Sequence, residues 1–322
     1  MSKHLGITDA EFIACWNRHL SAKKVADELG MNVRTAQHRR RHLEAKLDVH
    51  LRTHDPRPAY NEAPVSDASK AVIRWNVENG VILVGSDAHL WPGSLTTVQR
   101  AFLYFVKHFD PAPVAVVLNG DIFDGASISR HPGIGWEAKP SVKQELEAVQ
   151  NFLSEIEKHR RNAKLFWPQG NHDLRFASRL AATASEFEGV AGFDLLSHFP
   201  AWSPCWRVDI NDDLVIKHRM ANGLHAVYNN TLRSGRSMVT GHLHSLKVTP
   251  WTDYNGTRYG VDTGTLAEPT GPQFENYLES GPTNWRSGFA VLTICDGRLL
   301  IPELVQAWDE THVQFRGQLL EV

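Results

Sequence analysis

The sequence predicts an α/β protein, a layered sheet preceded by a small all-helical module. Three observations lead there. Beyond about residue 70, short apolar runs of strand length alternate with helical stretches, as in α/β sheets. The first 54 residues carry three helix signals with their caps. Between the two lies "RTHDPRPAYNEAPVSDAS", with three prolines and few apolar side chains, which reads as a linker. The predicted boundaries are 1–54 for the module, 55–70 for the linker and 71–322 for the larger domain.

In the module, Thr8 is placed to cap a first helix, "ITDAEFIACWNRHL", with Glu11 at the capping-box position. Ser21 can cap a second, "AKKVADEL", which stops at Gly30. Asn32 can cap a third, "VRTAQHRRRHLEAKL". Two helices joined by a short turn containing glycine have the helix-turn-helix layout. In the larger domain the strand-like runs are "VILVGSDAH", "VAVVLNGDIFD", "KLFWPQGNHD", "LVIKH" and "SMVTGHLH". Helices "LTTVQRAFLYFVKHF" and "SVKQELEAVQNFLSEIEKHRR" separate the first three. The later runs "TRYGVDTGTL", "GFAVLTI" and "RLLIPELVQAW" read as strands without intervening helices.

Composition narrows the function classes. With 322 residues, 42% of them hydrophobic, the chain can bury a sizeable core. The net charge is −2, but residues 1–54 hold ten Lys and Arg against six Asp and Glu. That module therefore carries +4 and the remainder −6, a basic module on an acidic body. Cys15, Cys205 and Cys295 form no CxxC pair, which argues against a zinc finger or a disulfide framework. The N-terminus lacks an apolar signal segment, and no run reaches the roughly 18 apolar residues of a membrane span. A soluble, cytoplasmic protein without a membrane partner is expected.

Each apolar run delivers polar residues at its C-terminal end, the edge where α/β sheets collect ligands. Gathered there are Asp87 and His89, Asp121 and Asp124, Asn171, His172 and Asp173, His218, and His242 and His244. A lone histidine after a strand is commonly a surface group. Five such segments in one order are hard to obtain by chance. Carboxylates and imidazoles suit a divalent metal such as Mn, Fe, Zn or Ni. In an extended D-x-H or H-x-H segment, alternate residues point to one side and can reach one centre. The ligands are too many for one ion, and two ions sharing a carboxylate fit the count.

The ordered set "SDAH", "GDIFD", "GNHD", "KHR" and "GHLH" resembles the calcineurin-like metallophosphoesterase superfamily. The resemblance implies a four-layer αββα sandwich and a dinuclear centre, with Mn the leading metal. It assigns Asp87, His89 and His244 to one ion, Asn171, His218 and His242 to the other, and Asp121 to both. His225, in "NGLHAV", competes with His218, which is preferred because it ends the run "LVIKH". The implied reaction is phosphoester hydrolysis, with His172 as general acid or charge-stabilising donor and Asp124 orienting a histidine. Arg130, His131 and Arg175 lie near motif loops and could contact phosphate.

"GNHD" and "GDIFD" look closer to the nuclease and small-diesterase branches, whereas Ser/Thr phosphatases typically have Glu in place of Asp173. The N-terminal stretch "AKKVADELGMNVRTAQHRRRHLEAKL" resembles LuxR-type or sigma-factor-like helix-turn-helices. That resemblance implies a recognition helix lined by Arg34, Thr35, Gln37, His38, Arg39, Arg40 and Arg41, with DNA as partner. The expected function is a two-metal phosphodiesterase or nuclease brought to DNA by its first domain. The alternative is a phosphatase or small-nucleotide diesterase whose first domain docks protein or regulates.

Overall fold

The computed structural model describes residues 6–47, 49, 51, 72–130, 138–160, 162–275 and 281–322. The chain divides into two compact units, Met1–Val65 and Ser66–Val322. The division falls within the stretch expected as a linker, and residues 55–70 lie outside the described ones.

The first unit holds α1 (Asp9–His19), α2 (Ala22–Glu28) and α3 (Val33–Leu47). Its capping box forms as expected. Thr8 Oγ1 accepts from Glu11 N–H at 3.2 Å and Glu11 Oε2 accepts from Thr8 N–H at 2.7 Å, which satisfies two otherwise orphaned donors. Asn32 Oδ1 accepts from Arg34 N–H at 2.9 Å at the start of α3. Ser21 precedes α2 in an extended conformation, but its hydroxyl makes no capping bond. Gly30 takes the left-handed turn between α2 and α3 at φ +61°. Phe12, Trp16, Val25, Ala36 and Leu43 are among the side chains of a separate small core.

In the second unit the order is β1 (Val72–Trp75), β2 (Gly80–Gly85), α4 (Thr97–His108), β3 (Ala115–Leu118), α5 (Val142–His159), β4 (Lys164–Pro168), α6 (Leu174–Thr183), β5 (Ser203–Cys205), β6 (Arg207–Ile210) and β7 (Leu214–Ile216). Then come α7 (Ala226–Ser234), β8 (Ser237–Thr240), β9 (Lys247–Asp253), β10 (Gly256–Asp262), β11 (Gly288–Cys295), β12 (Arg298–Leu299), β13 (Glu303–Ala307), β14 (His312–Phe315) and β15 (Gln318–Glu321).

They build two sheets. The larger runs β15-β14-β13-β11-β2-β3-β4-β5, with β12 beside β11, and the smaller runs β1-β6-β7-β8-β10-β9. The period of two along each strand sorts side chains between two cores. Val81 and Leu83 of β2, Val116 and Leu118 of β3, and Phe289 and Val291 of β11 pack in the cluster that holds α4 and α5. Their neighbours Ile82, Val84, Ala115, Val117, Ala290 and Leu292 pack against Val208, Ile216, Val239 and Val261 of the smaller sheet. Helix α7 packs on β8, β9 and β10. The layers are therefore helix, sheet, sheet and helix, the expected sandwich. Strands β2, β3 and β4 are parallel, as are β7 and β8, so each sheet delivers several strand C-termini to one edge. No helix among the described residues is long and apolar enough to cross a membrane.

Candidate metal centre

Each buried strand runs out into a short loop that carries the polar residues. After β2, Asp87 N–H donates to Gly120 O at 2.9 Å and His89 N–H to Asp121 O at 3.0 Å, which ties the loops after β2 and β3 together. After β8, His242 N–H donates to Asp87 Oδ2 at 2.9 Å. After β4, His172 N–H donates to Asp121 Oδ1 at 2.7 Å. The two central carboxylates thus hold the loops that surround them.

The ligand segments are not extended, contrary to the expectation for D-x-H and H-x-H. Asp87, His89, Asp121, His242 and His244 all have positive φ, between +40° and +70°. Side-chain convergence therefore comes from left-handed turns and not from strand alternation. Such conformations cost roughly 1–3 kcal/mol each outside glycine and persist where packing over-determines them, as functional sites do. The loop hydrogen bonds above supply that constraint. Two motif glycines are required by close approach. A Cβ on Gly170 would lie 2.1 Å from Asp121 Oδ1, and one on Gly241 would lie 2.5 Å from Asp87 Oδ2.

Three groups of donors result, in each of which one donor atom per residue lies within 4.8 Å of the others. They are Asp87, His89 and His244; Asp121, His218 and His242; and His89, Asp121 and His172. The third shares a residue with each of the other two. His225 belongs to none of them; it is exposed at the start of α7, whereas His218 is buried beneath the carboxylates. Asn171 sits on the same loop as His172, and its Oδ1 accepts from Arg219 Nη1 at 3.4 Å.

The ring nitrogens indicate what the cluster can hold. His218 Nδ1 lies 2.7 Å from the Asn119 carbonyl, which can only accept, so the ring donates there. Its Nε2, the nitrogen left to meet a cation or a proton, lies 3.2 Å from Asp121 Oδ2 and has no hydrogen-bonded partner. His89 repeats this: Nδ1 donates to Asp124 Oδ1 at 3.1 Å and Nε2 is buried without a partner. A histidine whose far nitrogen is pinned by an oxygen and whose near nitrogen faces carboxylates is arranged as a metal ligand. Buried lone pairs of this kind are costly unless a cation or proton meets them. The residues present therefore fit divalent cations.

The electrostatics agree. Burial alone would lower His218, but the Asp121 and Asp87 carboxylates outweigh it and push its pKa up to about 10. Burial would raise Asp87, yet the His244 and His218 rings bring it down to about 2. Asp121 is likewise held well below the usual range against burial, mainly by His218 and His172. Without a metal, the cluster draws protons to where cations would sit.

Asp124 does more than expected. Its Oδ1 accepts from His89 and, at 2.7 Å, from His172 Nδ1, while Oδ2 accepts from Trp91 Nε1 at 2.8 Å. Burial opposes the charge, but the His172 and His89 bonds keep the carboxyl far below its usual range. Arg175 Nη1 donates to the Asp124 carbonyl at 2.9 Å, and its Nη2 lies 3.1 Å from His172 Nε2. Arg130 is exposed, and His131 lies outside the described residues.

Several supporting roles escaped the sequence reading. Asp173 is buried and accepts N–H groups from Asp121, Ile122, Phe123 and Gly170 and from the Trp167 indole, between 2.8 and 3.1 Å. It clamps the loop that bears Asp121. Glu145 accepts from Gly125 and Ala126 N–H and so fixes the turn after Asp124. A signal existed: Glu145 lies on the stripe of α5 shared with Val149, Phe152 and Ile156, where an acid is out of place. Arg219 lay within the recognised "KHR" but was given no role, and Phe274 and Trp285 approach the cluster from segments that carried no motif.

In the first unit, Arg39 donates to Ile7 O at 2.6 Å and to Asp9 Oδ1 at 3.1 Å, and lies over the Phe12 ring. Arg40 lies over Trp16 and 3.4 Å from Glu44. Arg34, Gln37, His38 and Arg41 are exposed on α3, and Thr35 is half-buried.

A family model for calcineurin-like phosphoesterases matches residues 80–260. The chain is 29% identical over 223 residues to the Gene 54 protein of Mycobacterium phage L5, covering 61% of this chain and 82% of that one. Among solved structures, Chaetomium thermophilum Vps29 aligns with 71% of this chain and 90% of its own at a TM-score of 0.37 and 9% identity. A Saccharomyces cerevisiae protein serine/threonine phosphatase with similarity to human PP5 aligns with 74% and 84% at a TM-score of 0.38 and 14% identity.

Proposed function

The chain belongs to the calcineurin-like phosphoesterase family, and from that premise we propose that it is a two-metal phosphodiesterase, a nuclease brought to DNA by its N-terminal unit. The observation that carries the metal reading is the pair His89 and His218. Each is pinned through Nδ1 by an oxygen, and each leaves a buried Nε2 without a hydrogen-bonded partner within a cluster of candidate metal ligands.

In this reading Asp87, His89 and His244 would hold one ion, Asn171, His218 and His242 the other, and Asp121 would serve both, with Mn the proposed metal. The ions, when bound, supply Lewis-acid stabilisation of the phosphoryl oxygens and activation of the attacking water. The chain's own groups do the rest. Asp124 fixes the His172 ring through Nδ1; Nε2, which faces Arg175 Nη2 at 3.1 Å, is the remaining ring atom and can hold a proton at the leaving oxygen once Arg175 turns to the phosphoryl group. Arg175, beside that Nε2, is placed to meet phosphoryl charge. Asp173 and Glu145 keep the loop from Asp121 to Ala126 in shape through backbone N–H groups.

The DNA part rests on the +4 charge of residues 1–54 and on exposed Arg34, Gln37, His38 and Arg41 along α3. The engagement of Arg39 and Arg40 within the unit favours the second reading, in which the unit docks protein and the centre hydrolyses a small phosphoester. One panel separates them: bis-p-nitrophenyl phosphate, a phosphomonoester, a cyclic nucleotide, and single- and double-stranded DNA, run on the full chain and on Arg34→Glu/Arg41→Glu. The proposal expects diester and DNA hydrolysis, with only the DNA activity falling, in step with salt-sensitive DNA binding, in the variant. Hydrolysis of the monoester alone, or DNA binding indifferent to the variant, would move the assignment to the second reading.

A further inference from the structure

An aromatic corner stands beside the Asp87–His89–His244 group. The Trp285 ring lies 4.5 Å from the His244 ring and 5.1 Å from Phe274, centre to centre and at steep angles. Phe274 is buried and meets His89 at 5.1 Å and His244 at 5.6 Å, so it serves as packing behind the ligands. Trp285 differs. It is only half-buried and comes from the loop before β11. That loop is tied to the ligand loop, since Arg286 N–H donates to His244 O at 2.7 Å and Arg286 O accepts from Thr265 N–H at 3.1 Å. The ring is thus pre-positioned one side chain away from the place where a phosphoryl group would bind. The cationic groups lie towards the other ligands: Arg219 beside Asn171 and Arg175 beside His172. The guanidinium groups therefore neighbour Asn171 and His172, whereas the indole neighbours His244.

Resting on the phosphodiesterase reading above, we infer that Trp285 is a stacking platform for the base adjoining the scissile phosphate, so that the site takes an unpaired nucleotide and not an intact duplex segment. A base can lie on an indole face only when it has left its own stack. Phosphate and base are separated by one sugar, which suits the adjacency of Trp285 to ligand His244. Stacking on an aromatic is tolerant of base identity, so discrimination between bases should be weak.

The test compares thymidine 5′-(p-nitrophenyl phosphate) with methyl p-nitrophenyl phosphate, which share a leaving group and differ in the base and sugar. In parallel, thymidine 5′-monophosphate and deoxyribose 5-phosphate are compared by calorimetric binding. The wild type should favour the base-bearing compound in both arms. In Trp285→Ala that preference should fall about ten- to a hundredfold, the range that base–aromatic stacking supplies. Trp285→Phe should keep most of it and guards against a folding defect in the alanine variant. A wild type without preference, or an alanine variant with the preference intact, overturns the platform. If neither ester is hydrolysed, the phosphodiesterase reading fails, and the binding arm still decides whether Trp285 holds a base.

Discussion

Asp124→Asn is the most informative single change, because Asp124 joins a proposed metal ligand to the proposed proton donor. The substitution keeps the shape of the side chain but removes its charge and one acceptor. Oδ1 now serves His89 at 3.1 Å and His172 at 2.7 Å, and Oδ2 serves the Trp91 indole at 2.8 Å. If the amide oxygen stays towards the histidines, its NH2 confronts the Trp91 N–H. If it flips, both histidines lose their acceptor. Either way at least one donor loses its partner, at a cost of about 1–3 kcal/mol for each one that is buried. Loss of the oxygen behind a ligating histidine typically weakens metal binding about 10–100-fold, roughly 1.4–2.7 kcal/mol. A drifting His172 should add a loss at saturating metal of about a hundredfold, within the range of general acid–base catalysis. The assay is hydrolysis of bis-p-nitrophenyl phosphate against Mn concentration, beside a calorimetric metal titration. Both the half-saturating Mn concentration and the plateau should change. A variant with wild-type metal affinity and a plateau within about threefold would refute the claim that Asp124 orients these rings.

Other changes probe single links. His172→Ala should keep its metal and lose about 10²–10⁴ in rate, less with a p-nitrophenolate leaving group than with an alkoxide; equal losses would leave electrostatics as its only role. Gly170→Ala drives a Cβ to 2.1 Å from Asp121 Oδ1 and 2.4 Å from Asp121 N, so the Asp121 loop must move. It should lower Tm, at an overpacking cost of about 1–3 kcal/mol, and reduce metal content; unchanged Tm and metal content would show that the close approach is not required. Burial, helped by the Asp124 charge, pushes Glu145 from 4.5 up to about 7. The folded state thus holds this proton more tightly, so its contribution to stability is complete below the unfolded value and is lost as pH rises through 7. Glu145→Gln should flatten the decline of the urea midpoint between about pH 5 and 8, and an unaltered slope would contradict this.

Much of this was legible in the sequence because strand-end residues are constrained twice, by apolar runs that fix the strands and by the polar residues that follow. The order of Asp87, Asp121, His172, His218 and His244 along the chain is their order of delivery to the cluster, and the capping box at Thr8 needed only four residues to read. The conformation of the ligand loops was not legible, since periodicity describes strands and these residues sit in left-handed turns beyond them. Asp173 lay inside a recognised motif, but three of its five N–H partners, Asp121, Ile122 and Phe123, lie on the loop after β3 and reach it only by folding. Trp285 and Arg219 lie in segments whose place beside the centre depends on the return of β11 and β7 into the sheets. For α3, charge alone could not tell the arginines turned inward, Arg39 and Arg40, from the exposed Arg34 and Arg41.

The central claim is a centre of two cations built on a shared Asp121, and metal stoichiometry tests it most directly. Native mass spectrometry of the Mn-loaded full chain, with elemental analysis of the same sample, should find two ions per chain, and Asp121→Asn should lose both together with its phosphoesterase activity. Hydrolysis that persists at full rate in chelated, metal-free protein, or an Asp121→Asn variant that still carries two ions, would contradict the account.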